Sequence, residues 1–140
     1  MDRLTRERRS WNMSRIRSKD TAPEKAVRSA LHRLGYRFRL HRRDLPGCPD
    51  IVLPRLRTVV FVNGCFWHRH PCCRFAYTPK TRTDFWKNKF DANVLRDTAV
   101  AESLKQLGWR VLIVWGCQTR QPTELLRLME SLMRQYTPPA

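Results

Sequence analysis

Residues 61–73 read Phe-Val-Asn-Gly-Cys-Phe-Trp-His-Arg-His-Pro-Cys-Cys, and two kinds of chemistry overlap in that short stretch. Cys65, His70 and Cys72 are soft or borderline ligands at close spacing, the donor types a structural zinc site uses. Between them stand two large aromatics, Phe66 and Trp67, and His68, whose imidazole exchanges protons near neutral pH. A closed tetrahedral site needs a fourth ligand. Cys117 can supply it, because it follows a second strand-like run. Cys73 competes with Cys72 for the third position. The plainer reading is a set of reduced cysteines packed as small hydrophobes, and spacing alone leaves both readings open. Disulfides are disfavoured, since nothing marks the chain as secreted and five cysteines leave one unpaired.

Three acids have positions that matter. Asp50 opens a strand directly after Pro49, where a carboxylate ordinarily caps a turn. A hairpin to the next strand would instead carry it to Val62, where the loop with His68 leaves. Asp97 shares a helix face with Phe90, Val94, Ala101 and Leu104 at 4-3-4-3 spacing. A buried carboxylate needs a partner. An arginine would serve structurally, and a histidine would gain a fixed tautomer and a higher basicity. Glu24 completes a capping box with Thr21. It also lies almost two turns before Leu31, on the inward face, where it could help hold a metal ion or its water.

The elements that must position these groups follow from hydrophobic period and punctuation. A helix is expected over residues 22–34, stopped by Gly35, with Val27, Ala30, Leu31 and Leu34 inward. Residues 36–41 alternate apolar and basic as an edge strand does. Ile51-Val-Leu53 and Thr58-Val-Val-Phe-Val62 continue an antiparallel meander. A long helix over residues 81–107, closed by Gly108, leads to Trp109-Arg-Val-Leu-Ile-Val-Trp115, the clearest strand in the chain. Strand, helix, strand is a crossover unit, so that strand should run parallel to 58–62. A last helix is expected from Pro122 to about residue 136.

At 140 residues the chain is expected to form one domain over residues 21–136, after a basic arm at 1–20 and before a short tail at 137–140. Twenty-eight Lys and Arg against twelve Asp and Glu leave a net charge of +16, which points to a polyanion, nucleic acid first. The arm carries Arg15, Arg17 and Lys19 among interleaved apolar residues, suiting a segment that orders on a nucleic-acid backbone, though a solvated tail would look the same. No apolar run approaches transmembrane length and the first residues lack a signal-peptide core, so a reducing cytoplasm is the expected compartment and no membrane is expected as a partner.

The motifs taken jointly resemble those of the very short patch repair (Vsr) family of DNA mismatch endonucleases. The resemblance spans Ser10 to about Cys117. It rests on Ser10-Trp-Asn-Met13, Asp20-Thr21 with Glu24, Leu45-Pro-Gly-x-Pro-Asp50 and Asn63-Gly-Cys-Phe-Trp-His68. Thr81-Arg-Thr-Asp-Phe-Trp86, Asn93-Val-x-Arg-Asp97 and Leu107-Gly-Trp-Arg-Val-Leu-Ile-Val-Trp-x-Cys117 complete it. The resemblance implies an α/β fold with a restriction-endonuclease-like core, a mixed β-sheet flanked by helices and a structural zinc loop. It implies Mg2+-dependent nicking of one strand of duplex DNA on the 5′ side of the thymine in a T:G mismatch, the product of 5-methylcytosine deamination. The partners so implied are mismatched double-stranded DNA and, functionally, a cytosine-5 DNA methyltransferase and mismatch-repair proteins, in a bacterial cytoplasm at the nucleoid, with the chain acting as a monomer.

Residue by residue, the resemblance makes Asp50 and the backbone carbonyl of Val62 the Mg2+ ligands, His68 the catalytic histidine and Asp97 the acid behind it. Glu24 becomes the acid near the metal. Zinc falls to Cys65, His70, Cys72 and Cys117, and Phe66, Trp67 and Trp86 become the rings wedged into the base stack. The sequence departs from the family at Asn63, where a histidine often stands, and at His68-Arg-His-Pro, where histidines often run on. Two other functions remain compatible with composition alone: a restriction-like nuclease cutting both strands at an unmismatched site, and a zinc-dependent DNA-binding module without catalysis.

Overall fold

The computed structural model describes residues 20–134; Arg15, Arg17 and Lys19 of the arm, the helix end expected near residue 136 and the tail at 137–140 lie outside the described residues. In order come α1 (Ala22–Arg33), β1 (Arg39–Leu40), β2 (Ile51–Leu53), β3 (Thr58–Asn63), α2 (Thr83–Gln106), β4 (Arg110–Trp115) and α3 (Pro122–Arg134), with short 3-10 turns after β2 and β4. The four strands form one sheet in the order β1-β2-β3-β4. The first three are antiparallel, with Ile51 opposite Val60. β4 lies parallel to β3, Thr58 opposite Arg110 and Val62 opposite Val114. The helix between β3 and β4 is what makes that parallel pairing possible.

Alternation along the strands decides which helix covers which face. Ile51, Leu53, Val60, Leu112 and Val114 turn one way and pack with Val27 and Leu31 of α1 and Leu125, Met129 and Met133 of α3. Val52 and Val59 turn the other way, against Leu104 of α2 and Trp109. The sheet is therefore buried on both sides, which is why its central strands read as unbroken apolar runs. A mixed sheet flanked by helices is what the sequence led us to expect. Among the described residues no helix is long and apolar enough to cross a membrane.

Two expectations change. The edge strand spans Arg39–Leu40 rather than residues 36–41, because β2 offers only three residues to pair with. Of the stripe expected along α2, Phe90 and Leu104 are buried but Val94 is 42% exposed. At 1.5 Å per residue a helix of 24 residues is about 36 Å long, whereas six paired residues make about 20 Å of sheet. Half of α2 therefore runs past the sheet, and its inner face there meets the loop after β3.

Helix α1 begins as its sequence dictates. Thr21 is the N-cap, with its hydroxyl accepting from the Glu24 N–H, and Pro23 occupies the first turn. The turn before β2 presses on α2: Gly47 has φ +72°, and a Cβ there would overlap the Val100 side chain.

Candidate active site

Asp50 sits where β2 begins, and the hairpin sets it beside the outgoing end of β3. Its Oδ2 accepts the Val62 N–H at 2.7 Å. In an extended strand the N–H and C=O of one residue leave on the same side, so the Val62 carbonyl also faces the Asp50 edge. Burial pushes the Asp50 carboxyl up to about 6; the Val62 N–H opposes this, the Glu24 carboxylate adds to it, and His41 and His68 reduce it. This is a carboxylate short of positive charge.

One turn of loop beyond β3, His68 Nδ1 lies 2.6 Å from Asp97 Oδ2. The acceptor behind Nδ1 fixes the proton there and leaves Nε2 as the atom able to take or give one. The pairing explains an acid on the inner face of α2. Both side chains remain about one third exposed, at 32% and 33%. The loop is tied to α2 a second time by Asn93, whose side-chain amide donates to the Trp67 carbonyl at 3.1 Å.

Glu24, Asp50, Val62, Asn63, His68 and Asp97 line a single cavity of about 280 Å³. The three acids and the histidine expected to share chemistry are thus brought together at one end of the sheet. Glu24 is 3% exposed. Its carboxylate does not close the capping box on Thr21 but accepts the Asp20 N–H at 2.8 Å.

The metal-type cluster beside this cavity consists of Cys65, His70, Cys73 and Cys117, whose donor atoms lie within 4.8 Å of one another. Cys117 Sγ is 3.5 Å from His70 Nδ1, and the Cys117 N–H points at Cys65 Sγ at 3.4 Å. Tetrahedral zinc with sulfur at about 2.3 Å needs donors roughly 3.8 Å apart, so the set fits the ion. Burial, then the neighbouring thiols of Cys65 and Cys73, push the Cys117 thiol up to about 11, a strain that a divalent cation would relieve. Cys72 is not in the set. It is exposed and takes φ +55°, which turns the chain so that Cys73, not Cys72, faces inward. His70 is further fixed by stacking on Trp115, centroids 4.4 Å apart.

Phe66, Trp67 and Trp86 form one aromatic patch. Phe66 meets Trp67 edge-on at 5.0 Å and Trp86 at 5.6 Å, and buried Phe90 lies beneath at 5.2 Å. Packing and exposure are both realised here, because the rings support one another and none of the three is buried. Sequence reasoning missed Tyr77, 63% exposed and 5.0 Å from Phe66. It also missed Arg69, which lies over the Phe90 ring at 4.1 Å and donates to the Tyr77 carbonyl at 2.9 Å. No spacing signal marks either residue. Lys89 stands over the Trp67 ring at 5.3 Å, one cation of a basic surface beside the aromatics.

Comparison with known proteins places this arrangement. A type II nicking enzyme of Xanthomonas oryzae pv. oryzae is 57% identical over 117 residues, 84% of this chain and 85% of that enzyme. The DNA mismatch endonuclease Vsr of Escherichia coli is 49% identical over 112 residues, 80% of this chain and 71% of its own. A type II nicking enzyme of Neisseria meningitidis serogroup A is 38% identical over 134 residues, 96% of this chain and 95% of its own. The class is therefore that of nucleases acting on DNA. A family model described as DNA mismatch endonuclease Vsr matches residues 1–74, and the chain belongs to that family.

Proposed function

We propose that the protein nicks one strand of duplex DNA 5′ to the thymine of a T:G mismatch, by Mg2+-dependent hydrolysis of a phosphodiester. The observation that carries this reading is the convergence of Asp50, the His68–Asp97 pair and Glu24 on one cavity. The aromatic patch on the same loop, a net charge of +16 and the name of the Escherichia coli relative support it.

Asp50 and the Val62 carbonyl would hold Mg2+. The oxygen donor set suits a hard cation, and burial drives the carboxyl up to about 6 despite the nearby His41 and His68. When bound, the ion supplies Lewis-acid polarisation of the scissile phosphate and stabilises charge on the leaving oxygen. His68 Nε2 takes the proton of the attacking water as its oxygen bonds to phosphorus, and the bond from phosphorus to the leaving sugar oxygen breaks, that oxygen keeping the electron pair and taking a proton from solvent. Asp97 stabilises the imidazolium that results and keeps the ring aimed. Glu24 orders water at the cavity wall. Cys65, His70, Cys73 and Cys117 would hold zinc, which would tie the loop to the end of β4 so that His68 and the rings keep a common orientation. Phe66, Trp67 and Trp86 insert beside the mismatch, at an unstacking cost of about a few kcal/mol that is smallest where pairing is already weak.

Arg15, Arg17 and Lys19 neutralise phosphate along the duplex, and the arm and tail flank a single restriction-endonuclease-like domain. The setting is the bacterial cytoplasm, beside a cytosine-5 methyltransferase. The decisive experiment is a nicking assay on end-labelled T:G and T:A duplexes of identical flanks. A nick in the thymine strand of T:G alone is expected. Equal cleavage of both duplexes, or cutting of both strands, overturns mismatch specificity.

A further inference from the structure

Glu24 is the one buried acid among the described residues, and its usefulness in the cavity depends on which oxygen faces it. Its counter-charge comes from Arg28, one helical turn on in α1. Arg28 Nη2 lies 2.8 Å from Asp20 Oδ1 and 3.2 Å from Glu24 Oε2. The same nitrogen is 3.1 Å from His41 Nε2. Those three acceptor atoms are close enough together, within 4.8 Å, to form part of a divalent ion's shell. A hard divalent ion would sit about 2.0–2.6 Å from each of them, in the space the guanidinium nitrogen already fills. Arg28 is itself largely buried, 16% exposed, so it has little freedom to swing out.

The contacts are also one-sided. The Asp20 N–H and Arg28 both use Oε2 of Glu24. Oε1 has no partner among the described residues, and Glu24 lines the cavity of Asp50 and His68. We propose that Arg28 is a positioning residue for the candidate active site. Its guanidinium takes the cation place between Asp20, Glu24 and His41, holding Glu24 so that Oε1 is presented to the cavity and keeping divalent ions out of that corner. The ion of the reaction is thereby confined to the Asp50 side. A second consequence is that Asp20, the last residue of the arm and the first described one, is anchored to the cavity wall through the same nitrogen.

The inference rests on the reading that Asp50 carries a divalent ion, but its main readout is an ion count that needs neither nicking nor a mismatch. Mn2+ binding to the zinc-loaded protein, followed by the electron paramagnetic resonance of free Mn2+, compares wild type with Arg28→Gln and Arg28→Lys. Arg28→Gln is expected to bind an additional equivalent, lost again in the Arg28→Gln/Asp20→Asn double variant. Arg28→Lys, which keeps a point charge in place, should match wild type. On an intact T:G duplex Arg28→Gln lowers kcat for nicking about ten- to a hundredfold with little change in KM, and Arg28→Lys recovers most of that loss. A wild-type ion count in Arg28→Gln overturns the proposal. If Arg28→Gln unfolds in metal-free buffer, thermal melts decide. Recovery by Mn2+ supports the proposal, and failure to recover, with Arg28→Lys folded, overturns it.

Discussion

Replacing Asp50 by Asn separates what the carboxylate would do for catalysis from what it costs the fold. Burial raises the Asp50 carboxyl from 3.8 to about 6. A carboxyl raised on folding keeps, in the folded chain, a proton that the unfolded chain has already released. Its destabilising effect is absent below 3.8, grows as pH rises through the window, and is complete above about 6. About two pK units at 1.36 kcal/mol each is on the order of 3 kcal/mol. Asn is nearly isosteric, and its amide oxygen can accept the Val62 N–H as Oδ2 does, so the exchange removes charge and little else. Chemical denaturation of zinc-loaded protein, free of Mg2+ and of chelator, should find Asp50→Asn more stable than wild type by about 3 kcal/mol near pH 8. Near pH 5 the gap should shrink to roughly half. Saturating Mg2+ should narrow it near pH 8, because the ion binds only the charged carboxylate. The same variant should be unable to nick. A variant no more stable than wild type near pH 8, or a gap indifferent to pH, would refute the reasoning.

Two further outcomes test the neighbouring groups. Asp97→Asn removes the charge 2.6 Å behind His68. Single-turnover nicking should fall about a hundredfold or more while gel-shift affinity for the same duplex is retained; an unchanged rate would free the histidine from its acid. Cys73→Ser should lose zinc on metal analysis and melt earlier, whereas Cys72→Ser should keep a full equivalent, and the reverse result would restore Cys72 to the ligand set.

What the sequence could reveal was whatever depends on period. β-branched runs on either side of a long helix were enough for the mixed sheet and the parallel β3–β4 pair, and a Thr–Pro–Glu start was enough for α1. The placement of Asp50 next to Val62 followed from the hairpin; the expense of an acid on an inner face called for a partner to Asp97, arginine or histidine, and the family resemblance chose His68. Lengths were harder, because a strand ends where its neighbour stops: β1 shrank to the reach of β2. Val94 was misplaced because helical periodicity cannot tell that the sheet beneath has run out. Cys72 against Cys73 turned on one residue entering a positive-φ conformation, which side-chain chemistry does not announce. The Arg28 corner was half legible. The i,i+4 spacing to Glu24 is visible in the sequence, but His41 arrives only through tertiary packing.

The absence of a side chain at Gly47 lets the turn before Asp50 lie flat on Val100, about one helical turn from Asp97. The spacing between Asp50 and the acid behind His68 is therefore gauged by a steric stop between the Gly47 backbone and the short, branched Val100 side chain. Tuning of the candidate site is thus delegated to an apolar contact in the wall of the same cavity. Substitutions at Val100 that preserve every polar group would still shift Asp50 against Asp97, so this inconspicuous seam belongs to the geometry of the candidate site as much as the groups it spaces.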